Sequence, residues 1–262
     1  MTSAPAATDG LDPRSVLGKV MNVLGSFAPD DNGVTLAELG RRTGIPKGTL
    51  HRVVTDLVTA RLLNRTGARY RLSTRLFELG MRASVERTLV DLATPFMEDL
   101  YELTHETVNL GVREEGEVMY LSKIGGHRQS GTRARVGGRM PLHTTAIGKA
   151  LLAGLPSDAR ADYLRSPLKR LSPRTIVAPG ILQQQLLTVV ECGVSYEFEE
   201  TQIGIVCVGA PVVILDVGTI AAISVTGPIG RFNARAHGNL VHAAAAGISS
   251  TMARRDAIQR HA

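Results

Sequence analysis

Residues 14–73 show a hydrophobic pattern that changes from a helical to a strand period. Apolar residues at three- and four-residue spacing predict a helix over residues 15–27. A second, shorter helix is expected after Thr35, where Glu38 three residues later gives the signature of a capping box. Gly44 then predicts the end of this helix, because glycine commonly follows the last helical turn.

A third helix and a small hairpin complete the same region. Pro46 stands where the first turn of a helix tolerates proline, and the apolar residues after it share one helical face: Leu50, Val53, Val54, Leu57 and Val58. Short strands are predicted on both sides of Gly67, over residues 62–65 and 69–72. Three helices, a glycine turn and a hairpin are typical of a winged helix-turn-helix domain.

The remaining chain alternates between helical and strand patterns. Residues 1–13 lack periodicity and are predicted to be a disordered arm. Residues 74–94 predict one linker helix that also contacts a partner subunit, or alternatively a fourth core helix. Residues 95–256 predict an α+β domain of helices flanking a mainly antiparallel sheet. Its helices are expected over residues 95–105, 144–155 and 233–254, and its strands over 107–113, 117–124, 195–199, 207–214 and 219–226, with short helices and loops over 157–192.

Composition and charge locate a basic patch near the start of the chain. A hydrophobic content of 44% and a charged content of 21% are those of a globular protein with a core. The net charge of +6 is unevenly distributed, because residues 41–75 hold nine basic side chains and one acid, Asp56. A concentrated patch of this kind is the electrostatic footprint of nucleic-acid binding. The alternative is a solvated basic face on an ordinary helical domain.

Within this patch, the short polar and cationic residues of the third helix and of the hairpin are the candidates for DNA contact. They can reach base edges and phosphates, and a glycine among them permits close approach. The candidates are Thr35, Lys47, Gly48, Thr49, His51, Arg52, Thr55, Arg65, Arg69 and Arg71.

Several other classes of protein are disfavoured by the sequence. Cys192 and Cys207 are the two cysteines and form no CxxC pair, so neither a disulfide framework nor a structural zinc site is expected. No signal peptide or membrane span is apparent, which predicts a cytoplasmic location. Phosphate-binding loops and a G-x-S-x-G elbow are absent from the sequence. An enzyme using His143 and Cys207 as a nucleophile pair is the main alternative of another class, and no cofactor or metal is expected.

The chain resembles the IclR family of bacterial transcription regulators over nearly its whole length. In the first region the similar segments are Leu36-Ala-Glu-Leu, Thr43-Gly-Ile-Pro-Lys and Arg52. The later similar segments are Glu106-Thr-Val-Asn-Leu, Gly138-Arg-Met-Pro-Leu-His143, Ala146-Ile-Gly-Lys-Ala-Leu-Leu-Ala153, Glu199-Glu200, Gly204-Ile-Val-Cys207, Ala210-Pro211 and Ala221-Ala-Ile-Ser-Val-Thr-Gly-Pro228. The resemblance implies a winged-helix domain, a linker helix and a GAF-like effector-binding domain. It also implies dimers that often pair into tetramers.

The same resemblance implies an effector pocket, with residues carried over position by position. They are Met140, Ala146, Ile147, Glu197, Ile205, Cys207, Ser224 and Thr226. Where this chain has Glu197, many members of the family have Asp, so the longer side chain narrows the expected pocket. The physical pattern agrees, because a helix N-terminus suits a carboxylate and Ser224 and Thr226 share one face of a strand. For Cys207 an inert core thiol is the alternative interpretation.

Taken together, these observations predict a DNA-binding repressor whose operator binding is controlled by a small organic acid. Its expected partners are double-stranded operator DNA, an effector that is a carboxylate, and a second copy of the chain, with dimers that can pair further. A ligand sensor without DNA binding remains an alternative. The basic run from Lys123 to Arg139, which includes Arg133, is read as a solvated loop near the pocket mouth, although it could also bind anions.

Overall fold

The computed structural model describes residues 11–125, 132–215 and 217–260. The chain divides into two compact units between Ser84 and Val85. Residues 1–10 of the predicted arm, 126–131 of the predicted basic loop and Asp216, between two predicted strands, lie outside the described residues.

The first unit consists of helices and a small sheet. Its elements are α1 (Val16–Gly25), β1 (Val34–Thr35), α2 (Leu36–Thr43), α3 (Lys47–Thr59), β2 (Leu63–Thr66), β3 (Arg69–Leu72) and α4 (Thr74–Gly80). The strands are antiparallel in the order β1-β3-β2. This arrangement confirms the predicted winged helix-turn-helix, and it adds strand β1, which is too short for a hydrophobic pattern to reveal.

The helix ends of this unit follow the sequence signals, with one exception. Ser15 caps α1, and the Thr35 hydroxyl accepts a hydrogen bond from the Glu38 N–H at 3.2 Å to cap α2. Gly44 ends α2 in the left-handed conformation with φ of 68°. The reciprocal half of the predicted capping box is absent, because the Glu38 carboxylate binds Arg41 and Arg42 instead. Charge-assisted hydrogen bonds to two guanidinium groups are stronger than one to a neutral N–H.

One apolar cluster holds the first unit together. The third helix turns a stripe inward at three- and four-residue spacing, and this stripe meets apolar residues from α1, α2 and the sheet. The buried members are Val23, Val34, Leu39, Leu50, Val53, Val54, Leu57, Leu63 and Tyr70.

The predicted single linker helix over residues 74–94, followed by a helix over 95–105, is wrong. Helix α4 ends at Gly80, and a separate helix α5 runs from Ser84 to Thr104 with Pro95 inside it. Proline removes a helical hydrogen bond and costs about 3 kcal/mol. The helix nevertheless continues, because its buried face is continuous across Pro95 and includes Leu89, Ala93, Met97 and Leu100.

The second unit is an α+β domain built on one antiparallel sheet, as predicted. Apart from α5, its elements are β4 (Thr107–Glu114), β5 (Glu117–Ile124), β6 (Arg139–Pro141), α6 (Ala146–Ala153), α7 (Ser157–Arg165), α8 (Pro179–Cys192), β7 (Ser195–Phe198), β8 (Ile205–Ile214), β9 (Gly218–Pro228) and α9 (Gly238–Arg260), with 3-10 turns at Leu142–Thr144 and Ala234–His237. The strand order is β6-β5-β4-β9-β8-β7. Three expectations change: α6 and α9 begin later than predicted, and the segment 157–192 holds the 14-residue helix α8.

Helices cover both faces of this sheet. Helices α5 and α9 lie on one face, where Met97 and Ile248 contact strand residues such as Val208. Helices α6 and α8 lie on the other face, where Leu186 belongs to the same buried cluster as Val118. The face that carries α6 also holds the polar residues of the cavity described next.

Candidate functional site

The first candidate site is the outward face of α3. The inward face of this helix is apolar, so the polar residues that interrupt the apolar spacing point to solvent. Thr49 is half-buried, and the others are exposed: Lys47, Gly48, His51, Arg52 and Thr55. The Thr55 hydroxyl donates to the His51 carbonyl at 2.8 Å. The structure therefore brings the predicted recognition residues together on one exposed stripe.

The predicted wing arginines do not all share one face of the hairpin. Arg65 pairs with Tyr70 across the ladder, and its guanidinium lies 5.8 Å from the centre of the Tyr70 ring. Its Nε also donates to the Gly67 carbonyl at 3.0 Å. Arg69 and Arg71 are two residues apart and point to the opposite face from Tyr70, because side chains alternate along a strand. Of these two, Arg69 donates to the Gly33 carbonyl at 3.0 Å.

Part of the basic patch stabilises the domain. Arg42 binds the carboxylates of Asp31 and Glu38, and its hydrogen bond holds the pKa of Asp31 below its usual value. Thr35 likewise uses its hydroxyl oxygen as the cap of α2. Both residues therefore have a structural role in the folded domain.

The second candidate site is a small cavity in the second unit that is partly open to solvent. Seven of the eight predicted effector residues line it: Met140, Ala146, Ile147, Ile205, Cys207, Ser224 and Thr226. They come from β6, α6, β8 and β9. The remaining lining residues are Tyr120, Thr132, Arg133, Ala134, Thr145, Thr201 and Gln202.

Local structure explains how these residues meet. Ile205 and Cys207 alternate along β8, and Ser224 and Thr226 alternate along β9, so all four turn to one face of the sheet. Thr145 caps the first turn of α6 by accepting a hydrogen bond from the Gly148 N–H at 2.8 Å. Ala146 and Ile147, the first residues of α6, line the cavity, so the positive end of the helix dipole lies at the cavity.

Glu197, the eighth predicted residue, does not line the cavity. It is 0% exposed and is the ladder partner of Cys207, so its side chain lies beside Cys207 on the same face of the sheet. Its Oε1 accepts hydrogen bonds from the Glu200 N–H at 2.6 Å and the Thr201 N–H at 3.0 Å. Burial raises the pKa of Glu197, while the hydrogen bond from the Thr201 N–H lowers it.

A buried ion pair links elements that lie around the cavity. Lys149 of α6 is 1% exposed, and its Nζ contacts Glu200 Oε1 at 2.5 Å, Gln185 Oε1 at 2.8 Å and the Tyr196 carbonyl at 3.1 Å. Burial raises the pKa of Glu200, and Lys149 lowers it. Lys149 is therefore a structural residue that ties α6 to the loop after β7.

The electrostatic character of the cavity is weakly positive. Arg133 is its one charged lining residue within the described part of the chain, and none of these lining residues is an acid. Burial and the nearby Glu197 raise the pKa of the Cys207 thiol, so the thiol stays protonated near neutral pH. The arrangement suits an anion with an apolar portion, held by a few polar groups.

The predicted effector residues do not include half of the residues that line the cavity. Thr145 could have been found from its position three residues before Gly148 at a helix start, which is a capping signal. Tyr120 could have been found from its alternation with Val118 on β5. Thr132, Thr201 and Gln202 stand in loops, where no pattern of hydrophobic residues indicates a position.

The described residues contain no cluster of three or more His, Cys, Asp or Glu side chains that could hold a metal ion. No helix among them is both long and apolar enough to cross a membrane.

The fold and the two sites define a class of protein: a transcriptional regulator with a helix-turn-helix domain and a second, α+β domain that contains a cavity. Two family models match the chain. One, described as bacterial transcriptional regulator IclR C-terminal, matches residues 81–250, and the IclR helix-turn-helix domain matches residues 16–67. The chain belongs to the IclR family of DNA-binding transcriptional regulators.

Individual relatives agree with this assignment. The chain is 32% identical over 251 residues to the HTH-type transcriptional regulator KdgR of Escherichia coli, covering 94% of this chain and 95% of the relative. It is 28% identical over 220 residues to the transcriptional repressor IclR of the same organism, covering 82% and 80% of the two chains.

Solved structures show the same fold. An IclR homologue from Microbacterium hydrocarbonoxydans, complexed with 4-hydroxybenzoate, has a TM-score of 0.85 and 31% identity, and the match covers 92% of this chain and 100% of the other. The IclR protein of Thermotoga maritima has a TM-score of 0.75 and 26% identity, with 90% and 98% covered.

Proposed function

We propose that the protein is a cytoplasmic repressor whose binding to an operator is controlled by a small carboxylate. The observation that carries this proposal is the convergence of seven residues from four separate elements on one cavity, in a chain that also has an exposed recognition helix. The ligand of the M. hydrocarbonoxydans homologue is a carboxylate. Several relatives, including IclR of E. coli and AllR of Klebsiella pneumoniae, are named repressors.

On DNA, α3 lies in the major groove. Thr49 and His51 read base edges there, while Lys47, Arg52 and the wing arginine Arg71 contact phosphates. Gly48 permits close approach, and Thr55 lies one turn beyond His51 on the same stripe. Arg69 and Arg65 each already donate one guanidinium N–H to a backbone carbonyl, which restrains their side chains, so they contribute less.

The proposed assembly is a homodimer on a pseudo-palindromic site, with dimers that can pair. Exposed apolar residues support it, because Val16 and Leu17 of α1 are 78% and 57% exposed and Phe77 of α4 is 71% exposed. Sedimentation of the wild type and of Phe77→Glu tests this assembly. We expect a dimer or tetramer for the wild type and dissociation for the variant, and a monomeric wild type would contradict the proposal.

The effector acts through its differential affinity for two arrangements of the protein. Selection from random duplex DNA with the full chain gives a binding site, and fluorescence anisotropy then measures affinity across a salt series. We expect the affinity to fall steeply with salt, by a slope of about −0.9 per phosphate neutralised. Adding 4-hydroxybenzoate or another small carboxylate is expected to release the DNA.

The matched variants are Lys47→Ala/Arg52→Ala, which is expected to abolish binding, and Arg135→Ala in the second unit, which is expected to leave it unchanged. A flat salt dependence, or equal loss in both variants, would contradict the DNA-binding part. Strong DNA binding that no small carboxylate alters would contradict the effector part.

A further inference from the structure

A groove in the second unit lies at the opposite end of α6 from the cavity. The first residues of α6 line the cavity, whereas Ala150, Ala153 and Gly154 near its end line the groove, together with residues of α8, β8, β9 and α9. The groove is open to solvent and has a volume of about 490 Å³, within the range of about 300–1,000 Å³ that is usual for small-molecule sites. No residue lines both, so the groove and the cavity are separate sites.

One side of the groove is a strand edge that is closed to a further strand. The pairing of β7 with β8 ends at Gly209, and Pro211 and Val213 follow beyond it along β8. Proline has no N–H group to donate, and the Val213 N–H already donates to the Ser249 hydroxyl at 3.0 Å. Strand addition depends on main-chain hydrogen bonds along an edge. The groove is therefore unsuited to an extended peptide or to a strand of a second copy.

Most of the groove surface is apolar and none of it carries a fixed charge. Nine of its thirteen lining residues are glycine, alanine, valine or proline, and two of them, Val190 and Val213, are 59% and 44% exposed. Covering these side chains removes apolar surface from water, which favours binding of an apolar group. None of the thirteen is Asp, Glu, Lys or Arg. A charged ligand would lose its water beside these described residues without gaining an ionic partner, so the groove suits a neutral ligand.

The polar residues of the groove favour a ligand that donates a hydrogen bond. The four polar lining residues are Thr219, His242, Ser249 and Ser250. Ser249 Oγ donates to the Ala245 carbonyl and Ser250 Oγ donates to the Ala246 carbonyl, at 2.9 Å each. A serine hydroxyl has one proton and two lone pairs, so both serines have only acceptor capacity left. Ser250 is exposed, and its oxygen can accept from a ligand hydroxyl.

We propose that this groove is a second small-molecule site, and that it binds a neutral, apolar ligand whose hydroxyl group donates to Ser250. A phenol is a compound of this class. The groove volume, the apolar and uncharged lining and the serine protons already used within α9 support this class of ligand. The site is separate from the cavity, so the inference does not depend on the proposed carboxylate effector.

Equilibrium dialysis of the full chain with three probes tests the proposal. The probes are 2-naphthol, its methyl ether 2-methoxynaphthalene, and 2-naphthoate, which share one apolar body. Near neutral pH they present a hydroxyl donor, no donor and a negative charge, respectively. We expect 2-naphthol to bind in the groove about threefold or more tightly than the ether, because one hydrogen bond is lost. We expect it to bind there about tenfold or more tightly than the anion, because the lining has no ionic partner for a carboxylate.

Matched variants on α9 assign the binding to the groove. Ala246→Phe fills the groove from an exposed position and should weaken binding of 2-naphthol about tenfold or more. Ala243→Phe, at an exposed position of the same helix outside the groove, is the control and should change it less than about twofold. Ser250→Ala should bring the affinity of 2-naphthol down to about that of the ether, because the acceptor is removed.

Three results of the dialysis would overturn the proposal: no binding of 2-naphthol, equal binding by the wild type and Ala246→Phe, or tighter binding of 2-naphthoate in the groove. Sedimentation without ligand tests another occupant, since dissociation caused by Ala246→Phe would show that a second copy fills the groove. If Ala246→Phe does not fold, Ser250→Ala decides the matter, and an unchanged ratio of 2-naphthol to ether affinity would contradict the proposal. Each of these results leaves the carboxylate effector of the cavity standing.

Discussion

Helix α3 and the cavity hold their polar residues in opposite ways. Those of α3 lie on one helix, exposed, with the spacing of a single chain segment. Those of the cavity come from strands, loops and the start of a helix, far apart in sequence, and those on the strands are buried. A substitution on α3 should therefore change DNA binding with little effect on folding, whereas one behind the cavity should change folding first.

The largest expected effect is on stability, at Lys149. In Lys149→Met the Glu200 carboxylate remains buried without its partner, which should cost about 3–5 kcal/mol in the free energy of unfolding, measured by urea denaturation. The double variant Lys149→Met/Glu200→Gln should recover part of this loss. Lys169→Met, at an exposed lysine, is the control. A loss below about 1 kcal/mol in the free energy of unfolding would show that the buried ion pair does not stabilise the domain.

The next effect is on DNA affinity, at Arg52. Arg52→Ala should cost about 1–3 kcal/mol of binding and reduce the salt slope by about one, with the urea midpoint unchanged. Arg65→Ala should cost less, because Arg65 already donates to Gly67 and lies over Tyr70. Equal losses would mean that the hairpin rearranges on DNA.

The next expected effect is on the pH dependence of stability, and it comes from Glu197 in the second unit. Burial raises the pKa of Glu197 in the folded protein above its ordinary value of 4.5. The folded state therefore binds more protons than the unfolded state above pH 4.5, and stability falls as pH rises, by at most about 1.4 kcal/mol per pH unit for one group. Glu197→Gln should reduce this fall in urea denaturation between pH 4.5 and 7. An unchanged or steeper fall would show that another group, such as Glu200, dominates.

The smallest effect tests whether Thr35 caps a helix or binds DNA. Thr35→Ala should destabilise the first unit by about 1 kcal/mol, because the Glu38 N–H loses its acceptor. Thr35→Ser should restore the stability. If Thr35→Ala instead weakens DNA binding while the urea midpoint stays constant, phosphate contact is the main role.

Much of the fold could be predicted because its signals are local. Gly44 and Pro46 mark the turn before α3, and the apolar stripe from Leu50 to Leu57 turns its exposed residues outward by helical geometry alone. The hairpin of β8 and β9 could likewise be predicted from its long apolar runs. Alternation of side chains along those strands places Cys207 and Thr226 on one face of the sheet.

Other features depend on contacts between distant residues. Pro95 predicts the start of a helix, but packing of Leu89, Ala93 and Met97 keeps α5 continuous through it. The family resemblance places Glu197 in the pocket. Hydrogen bonds from the Glu200 and Thr201 N–H groups instead hold its carboxylate away from the cavity.

The amino-acid sequence by itself determined the family, the helix-turn-helix and half of the residues that line the cavity, since periodicity, turn residues and motifs are properties of neighbouring positions. The tertiary structure alone decided which of those residues are free to bind a partner. Strand register places Asn109 beside Thr226 and leaves its amide oxygen without a donor, and ion pairing removes Arg42 and Lys149 from the available cations. The physical reason is that hydrogen bonding and burial depend on groups brought together by folding, such as Asn109 and Thr226, which are 117 residues apart in the sequence.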